Sequence, residues 1–339
     1  MALRTMNSGI DFRAPPPTFL LAAATLACAA LPGSARAQGS DDPAPVTLTY
    51  LGTAGWQLTD GEVVILVDPY ISRLPTSRFR GAHWTRTGYV EDSPGSAPVL
   101  KPDTAAVDAH IRRADLILIA HSHHDHLLDA PYIARRTGAR IIGTETTSRL
   151  ARAAGVPDSQ VITVRGGEDY SFGSVSVKVI PSLHSAAGGM GYFDGRVARK
   201  DLAPPLRVTD FVEGGTLAYL VRIGGREVLF ISSANYIERE IEGLRPDAAV
   251  VAIGARQYVY DYTRRLLAAL GDPPLILPNH WDGYTLPYDD PRATGSEGIL
   301  RGLEAFRQEV LRYSPRTEVR TPKYFEAIRV PRRAAPEAP

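Results

Sequence analysis

Residues 116–128 read LILIAHSHHDHLL. The apolar first half of this stretch is typical of a short buried strand, because it is brief, rich in isoleucine and leucine, and bounded by polar residues. Four candidate metal ligands follow it directly: His121, His123, Asp125 and His126. Imidazole and carboxylate groups are ligands that zinc binds readily. Since ligands in a turn point in more than one direction, the stretch predicts a strand that ends in a site for one or two metal ions.

The HxHxDH pattern after a buried strand resembles the metallo-β-lactamase superfamily of metal-dependent hydrolases. Two earlier motifs carry the same resemblance, an LGxAG sequence at residues 51–55 and a strand that ends in Asp68-Pro69. The chain looks closest to the branch of the ascorbate-6-phosphate lactonase type and, more distantly, to the phospholipase D that cleaves N-acylphosphatidylethanolamine. The likeness covers residues 46–282 and implies an α/β fold, a four-layer αββα sandwich.

The resemblance also implies two histidine ligands beyond the central motif. His184 follows an alternating strand at residues 175–181, and His280 closes a P-x-H sequence. Carried over residue by residue, one zinc would be held by His121, His123 and His184, and a second by Asp125, His126 and His280. The metal would activate a hydroxide for attack on an ester-type bond, with Asp125 as the catalytic residue that orients it or passes a proton. Iron or manganese is compatible with the same ligands.

One expected ligand is missing. The family usually ends the second strand of a hairpin with Gly-Asp, whose carboxylate bridges two metals, whereas residues 230–235 here read FISSAN. With Asp125 and a hydroxide alone opposing two zinc ions, the second ion is expected to bind more weakly and the site to favour anions. The expected function is therefore zinc-dependent hydrolysis of an anionic phosphoester, phosphodiester or lactone.

Other functions stay open. Loss of the bridging aspartate is also compatible with a catalytically impaired protein that binds a metal or a ligand. The export signal described below would suit β-lactam hydrolysis, although the opening motifs fit the lactonase-like branch better. Iron-dependent redox members of the superfamily share the ligand set, so metal identity would decide that alternative.

Several side chains outside the ligand set are candidates for supporting roles. Asp68, at a strand end, could orient a ligand histidine or cap the turn at Pro69. The insertion at residues 72–103 is expected to roof the site, and the insertion at residues 186–213, which leaves directly from a predicted ligand, to line the substrate cleft. Three residues are candidate substrate contacts: Tyr192, Arg256 and Tyr258.

The first 37 residues are typical of a secretory signal peptide. Arg4 and Arg13 precede an apolar run at residues 19–31, and an A-x-A motif ends at Ala37. The run is shorter than a comfortable membrane span. We therefore expect export to the periplasm or the exterior and no transmembrane span after cleavage, with lipid anchoring at Cys28 as the alternative. Cys28 is the only cysteine, so a mature chain would offer no thiolate to a metal.

Composition is that of a soluble globular domain, with 44% hydrophobic and 22% charged residues among 339. We predict a linker at residues 38–45, one domain at residues 46–330 and a disordered tail at residues 331–339. A net charge of +1 gives no electrostatic case for nucleic acid. The expected partner is a small-molecule or lipid-headgroup substrate, and the oligomeric state is left open.

Overall fold

Two seven-stranded β-sheets form the centre of the structure. The structure is a computed structural model, and it describes residues 45–85, 88–186 and 196–334. The strands are β1 (Thr47–Gly52), β2 (Gly55–Thr59), β3 (Val64–Val67), β4 (Ala82–Thr85), β5 (Gly88–Glu91), β6 (Leu116–Leu118), β7 (Arg140–Gly143), β8 (Val161–Thr163), β9 (Asp169–Phe172), β10 (Val175–Ser182), β11 (Thr216–Ile223), β12 (Arg226–Ile231), β13 (Ala248–Ala252), β14 (Leu275–Asn279), β15 (Glu318–Val319) and β16 (Ala327–Arg329). The α-helices are α1 (Thr104–His110), α2 (His124–Leu127), α3 (Ala130–Thr137), α4 (Glu145–Ala153), α5 (Glu238–Ile241), α6 (Tyr262–Leu270), α7 (Arg292–Gly295) and α8 (Glu297–Tyr313).

Each sheet is antiparallel in one part and parallel in the other. The first has the order β16-β1-β2-β3-β6-β7-β8, and β3, β6, β7 and β8 run parallel. The second has the order β15-β14-β13-β12-β11-β10-β9, and β12 to β15 run parallel. Because the carboxyl ends of parallel strands meet at one edge, the loops after β6, β12, β13 and β14 can converge on a site there.

The two sheets pack face to face through one apolar core. Tyr50 and Trp56 of the first sheet share it with Tyr219 and Phe230 of the second, and all four are fully buried. A second core lies on the outer side of the first sheet, where α1, α3 and α4 cover it. Apolar residues of α6 and α8 belong to the core of the second sheet. The expected αββα sandwich is confirmed by this layering.

Local sequence signals account for the helix at the centre of the first helical layer. Pro131 lies in the first turn of α3, where its missing N–H costs no hydrogen bond. Gly138 ends the helix with a φ of 81°, a left-handed conformation that glycine adopts freely, and its N–H donates to the Ala134 carbonyl at 2.9 Å. Local sequence signals therefore account for both the start and the end of α3.

The two ends of the domain are joined by hydrogen bonds. β1 pairs antiparallel with β16, with Thr47 opposite Arg329, so the fold extends well past the region that carries the resemblance. Beyond β16, the backbone N–H of Arg333 donates to Asp247 Oδ1 at 2.5 Å.

The predicted signal peptide and most of the predicted tail lie outside the described residues. Among the described residues, no helix combines the length and the apolar character needed to cross a membrane.

Candidate metal centre

The central motif is placed by the turn that follows β6. The N–H of Ala120 donates to Asp68 Oδ1 at 2.8 Å, and the Ala120 carbonyl accepts from the N–H of Leu217 at 2.8 Å. These bonds tie the turn to the end of β3 and to β11 of the other sheet. The turn and the single-turn helix α2 then carry His121, His123, Asp125 and His126.

His184 follows β10 by two residues, and its tautomer is set by its own loop. Its Nδ1 lies 3.0 Å from the Ser185 carbonyl oxygen. Because a carbonyl oxygen can only accept, Nδ1 must carry the hydrogen, and Nε2 keeps a free lone pair. That lone pair is what a metal ion requires of a histidine ligand.

A buried polar network holds His280 directly after β14. The residue has a left-handed φ of 50°, and its N–H donates to the Thr53 carbonyl at 2.8 Å. The N–H of Thr53 in turn donates to Asp282 Oδ1 at 3.0 Å. The other oxygen of Asp282 accepts from Arg73 Nη1 at 2.8 Å and from the Tyr324 hydroxyl at 2.6 Å. The unusual backbone conformation of His280 is therefore maintained by groups from four separate segments.

The structure gathers the six predicted ligands into two groups of three. His121, His123 and His184 form one, and Asp125, His126 and His280 form the other; within each group the ligand atoms lie within 4.8 Å of one another. These are the same two sets that the resemblance implies.

Unsatisfied nitrogen atoms indicate that the groups fit metal ions. His121 Nδ1 and His126 Nε2 are buried and have no hydrogen-bond partner among the residues that the structure describes. A buried polar atom without a partner costs about 1–3 kcal/mol. A cation would remove that cost, and the histidine and carboxylate donors suit zinc, iron or manganese.

Asp68 lies behind the second group of ligands. It is completely buried, and its Oδ2 is 3.1 Å from His126 Nδ1. Of its two predicted roles, this contact supports the orientation of a ligand histidine. Burial alone would lower the pKa of His126, but the charges of Asp68 and Asp125 and the contact with Asp68 together outweigh burial and raise that pKa above the usual value.

Four other ligands have pKa values suited to metal binding: His121, His123, Asp125 and His184. Burial, aided by neighbouring histidines, lowers the pKa of His121 and of His123 well below the usual value, and burial lowers the pKa of His184 to about 4. Burial would raise the pKa of Asp125, but the charge of His126 and a hydrogen bond from His280 hold it well below its usual range. At neutral pH His121, His123 and His184 therefore present neutral imidazoles and Asp125 an ionised carboxylate, the forms that bind metals.

A cavity of about 290 Å³ opens over both groups. Trp84 and Tyr89 line it from the β4–β5 hairpin, so the insertion at residues 72–103 does contribute to the roof. The Trp84 ring packs edge-on against His123, with ring centroids 5.1 Å apart. Tyr284 lines the cavity from the loop after β14. None of these three aromatic residues was among the predicted substrate contacts. For Trp84 and Tyr89, the only indication in the sequence was their position in the insertion that was expected to roof the site.

A model of the Beta-lactamase superfamily domain matches residues 47–280. The chain belongs to the metallo-β-lactamase superfamily. The match begins in β1 and ends at His280, and it therefore includes all six residues of the two groups.

Similar proteins are found among curated relatives and solved structures. A UPF0173 metal-dependent hydrolase of Thermoplasma volcanium is 27% identical over 191 residues, which cover 55% of this chain and 74% of the relative. The structure of a metallo hydrolase from Ignicoccus hospitalis matches with a TM-score of 0.50 and 18% identity, over 84% of this chain and 97% of that one. A diiron β-hydroxylase from Streptomyces venezuelae matches with a TM-score of 0.53 and 17% identity, over 85% of this chain and 54% of that one. At these identities the solved structures support the fold alone.

The strand end that usually carries the bridging aspartate of the superfamily is used here to fix the His184 loop. Ser233 Oγ accepts a hydrogen bond from the Ser185 N–H at 2.8 Å, and Asn235 Nδ2 donates to the His184 carbonyl at 3.1 Å. Among the described residues that line the cavity, Asp125 has the only carboxylate. The strand end thus positions a ligand loop and supplies no acidic group.

Two predicted substrate contacts of this superfamily member need correction. Arg256 does not line the cavity, because its guanidinium pairs with both carboxylate oxygens of Glu309 at 2.9 and 3.1 Å and lies over the Phe306 ring. Tyr258 is also absent from the lining and is 46% exposed. The third predicted contact, Tyr192, lies outside the described residues.

Proposed function

We propose that this chain is an exported, zinc-dependent hydrolase that cleaves an ester-type bond in an anionic phosphoester, phosphodiester or lactone. The coarser activity, that of a metal-dependent hydrolase, rests on superfamily membership and on the two groups of histidine and aspartate ligands. The relative from Thermoplasma volcanium is also named a metal-dependent hydrolase.

The observation that carries the proposed substrate class is the charge balance of the cavity. Two divalent ions would bring four positive charges, opposed by Asp125 in the cavity and by Asp68 behind His126. The histidines of the first group are neutral at pH 7 because burial lowers their pKa values. The loaded site would therefore keep a positive charge in a partly enclosed space, which favours anions.

The side chains around the ions would bind and orient the substrate. When bound, the ions supply a water molecule activated at neutral pH and polarise the bond to be cleaved. Burial raises the pKa of Tyr89 to about 12 and also raises that of Tyr284, so both hydroxyls stay protonated. Neither hydroxyl has a hydrogen-bond partner in the described part of the chain, so both are available to donate to substrate oxygens. Ionised Asp125 can accept a proton from the attacking water.

The test begins with the metal and then compares substrates of different charge. Elemental mass spectrometry of the purified protein identifies the metal and counts it. Values of kcat/KM are then measured for bis(p-nitrophenyl) phosphate, p-nitrophenyl phosphate, an anionic lactone, and a neutral lactone of similar size. We expect zinc and a preference for the anionic substrates. Equal values for charged and neutral substrates would refute the proposed class while leaving the hydrolase assignment intact.

A carboxylate restored at the strand end sharpens this test. Ser233→Asp places an acidic group on the cavity wall, and its oxygen can still accept from the Ser185 N–H. We expect tighter binding of the second ion and a smaller preference for anions. Ser233→Asn is the matched control, because it adds nearly the same volume without charge and should leave both properties unchanged.

A metal-binding protein without turnover is the second candidate, and the absent bridging carboxylate is the observation that favours it. It is distinguished from the hydrolase by the Ser233→Asp variant. If the natural chain binds zinc and cleaves no substrate of the panel, but Ser233→Asp gains turnover, the natural site is an impaired one.

Export is a separate part of the proposal, supported by the signal-like sequence at residues 1–37. Cell fractionation of the full chain and of a variant that lacks these residues tests it. We expect the full chain in the periplasm or medium, shortened at its N-terminus, and the truncated chain in the cytoplasm. Retention of the full chain in the cytoplasm would contradict export.

A further inference from the structure

A second cavity, of about 660 Å³, lies on the outer side of the first sheet, away from the metal centre. It is bounded by α3, by the end of α4 and by the segment around residues 204–211. Ligand pockets in proteins commonly measure roughly 300–1,000 Å³. The cavity is therefore large enough for an organic ligand, and it shares no lining residue with the cavity over the metal ligands.

The walls of this cavity are mainly apolar. Aliphatic and aromatic side chains from every bounding element line it, among them Leu128, Leu150, Leu206 and Phe211. The large apolar residues that are exposed elsewhere on the described surface, such as Tyr260 and Leu300, do not border it. An apolar hollow without a protruding apolar rim suits a chain that enters it, rather than the flat surface of a membrane.

The charged groups of the cavity all have the same sign. Lys101 and Arg135 are exposed at its border, and no carboxylate occurs among its described lining residues. Within the described part of the chain neither cation has an ion-pair partner, whereas Arg136, the neighbour of Arg135 on α3, is paired with Asp108 at 2.7 Å. An apolar cavity with two unpaired cations at its border complements a ligand with an apolar tail and an anionic head.

We propose that this cavity binds a single-chain fatty-acid anion, with its hydrocarbon chain among the leucines and its carboxylate between Lys101 and Arg135. The backbone connects this cavity to the metal centre. Leu127 and Leu128 line the cavity and follow Asp125 and His126 directly, and the N–H of Leu128 donates to the His124 carbonyl at 3.0 Å. An occupant would therefore pack against the helix that carries two of the metal ligands.

Isothermal titration calorimetry of the metal-loaded full chain tests the proposal. Dodecanoate, kept below its micelle concentration, is compared with dodecanol and with butyrate. Ala153, in the last turn of α4, lines the cavity, so the larger side chain of Ala153→Phe obstructs it. A double variant, Lys101→Ala with Arg135→Gln, removes the two cations, and Arg112→Gln is the control for loss of an exposed arginine outside the cavity.

We expect one dodecanoate per chain and much weaker binding of dodecanol and butyrate. The double variant should weaken dodecanoate binding roughly two- to thirtyfold, the range for two solvent-exposed ion pairs. Ala153→Phe should abolish it, and Arg112→Gln should leave it unchanged. Circular dichroism melting verifies that Ala153→Phe is folded. If that variant does not fold, the effect of the double variant on dodecanoate binding tests the proposal instead.

Four results would overturn the proposal. Binding that persists in folded Ala153→Phe would place the carboxylate elsewhere, for example on the metal ions. Equal binding of dodecanol would mean that the cations do not select the ligand. Binding to phosphatidylglycerol vesicles without binding of monomeric dodecanoate would indicate a membrane surface instead. No heat from dodecanoate at any concentration below its micelle limit would exclude the ligand.

Discussion

Asp68→Asn should weaken one metal site and spare the other. In the natural chain Oδ1 of Asp68 accepts from the Ala120 N–H at 2.8 Å, and Oδ2 lies 3.1 Å from His126 Nδ1. An asparagine can keep the first hydrogen bond only by turning its amide nitrogen toward His126. Two donors would then face each other unless His126 moves its hydrogen from Nδ1 to Nε2. Nε2 is the buried nitrogen that has no partner in the described structure, and a hydrogen there would block its lone pair.

The expected loss can be stated as a binding constant. Removal of a group that orients a ligand histidine typically costs 10- to 100-fold in metal affinity, equivalent to about 1.4–2.7 kcal/mol. We expect that increase in Kd for the ion held by Asp125, His126 and His280. The ion held by His121, His123 and His184 should keep its affinity. Among the described ion pairs, Asp68 contacts His126 and none of those three histidines.

Dialysis against a series of buffered zinc concentrations, followed by elemental mass spectrometry, resolves the two binding steps. Asp129→Asn is the matched control. Asp129 is also fully buried and accepts from the backbone N–H groups of Ile71 and Ser72 at 2.6 and 2.7 Å, but it contacts no metal ligand. If both steps weaken equally in Asp68→Asn, or if neither changes, Asp68 does not act through His126 and the reasoning is refuted.

Three further predictions concern the metal count and stability. His184→Ala and His280→Ala should each lower the zinc content by about one ion per chain by elemental mass spectrometry, and loss of both ions in either variant would contradict two separate groups. Asp282→Ala leaves the buried guanidinium of Arg73 without its partner, so urea unfolding should show a loss of about 3–5 kcal/mol; a loss below about 1 kcal/mol would show that the ion pair is dispensable. Burial raises the pKa of Asp129 to about 6, so its protonated form stabilises the folded state below about pH 4, and about 3 kcal/mol of that stability is lost as the pH rises through 6. Urea midpoints from pH 4 to 7 should show this slope in the natural chain and a flatter one in Asp129→Asn, and equal slopes would count against it.

The sequence was most informative where a short pattern fixes both structure and chemistry. The buried run before His121 is observed as β6, and the P-x-H sequence places His280 directly after β14. Strands that lie in the core, such as β7 and β11, coincide with apolar runs between turn residues, which leave few alternatives. The grouping of ligands from three distant segments came from the resemblance, since no local signal specifies which strand ends meet.

The errors arose where a distant segment decides the outcome. Arg256 follows the end of β13, near the cavity, but Glu309 on α8 pairs with its guanidinium, and local sequence gives no sign of that partner. The aromatic wall of the cavity was missed for the same reason. Trp84 and Tyr89 belong to a hairpin whose direction is set by tertiary packing, because its strands are too short to have a strong pattern of their own.

The pairing of β1 with β16 has a consequence for the order in which the protein matures. Tyr324, a few residues before β16, donates to Asp282, which also fixes Thr53, and Thr53 in turn holds His280. Almost the last residues of the domain to be synthesised thus help to fix a ligand of the second ion. A growing chain can contain every histidine of the two groups and still lack a rigid second site. The second ion would then bind firmly only after synthesis of the domain is complete. Removal of the chain from Tyr324 onward would release the second ion before the first.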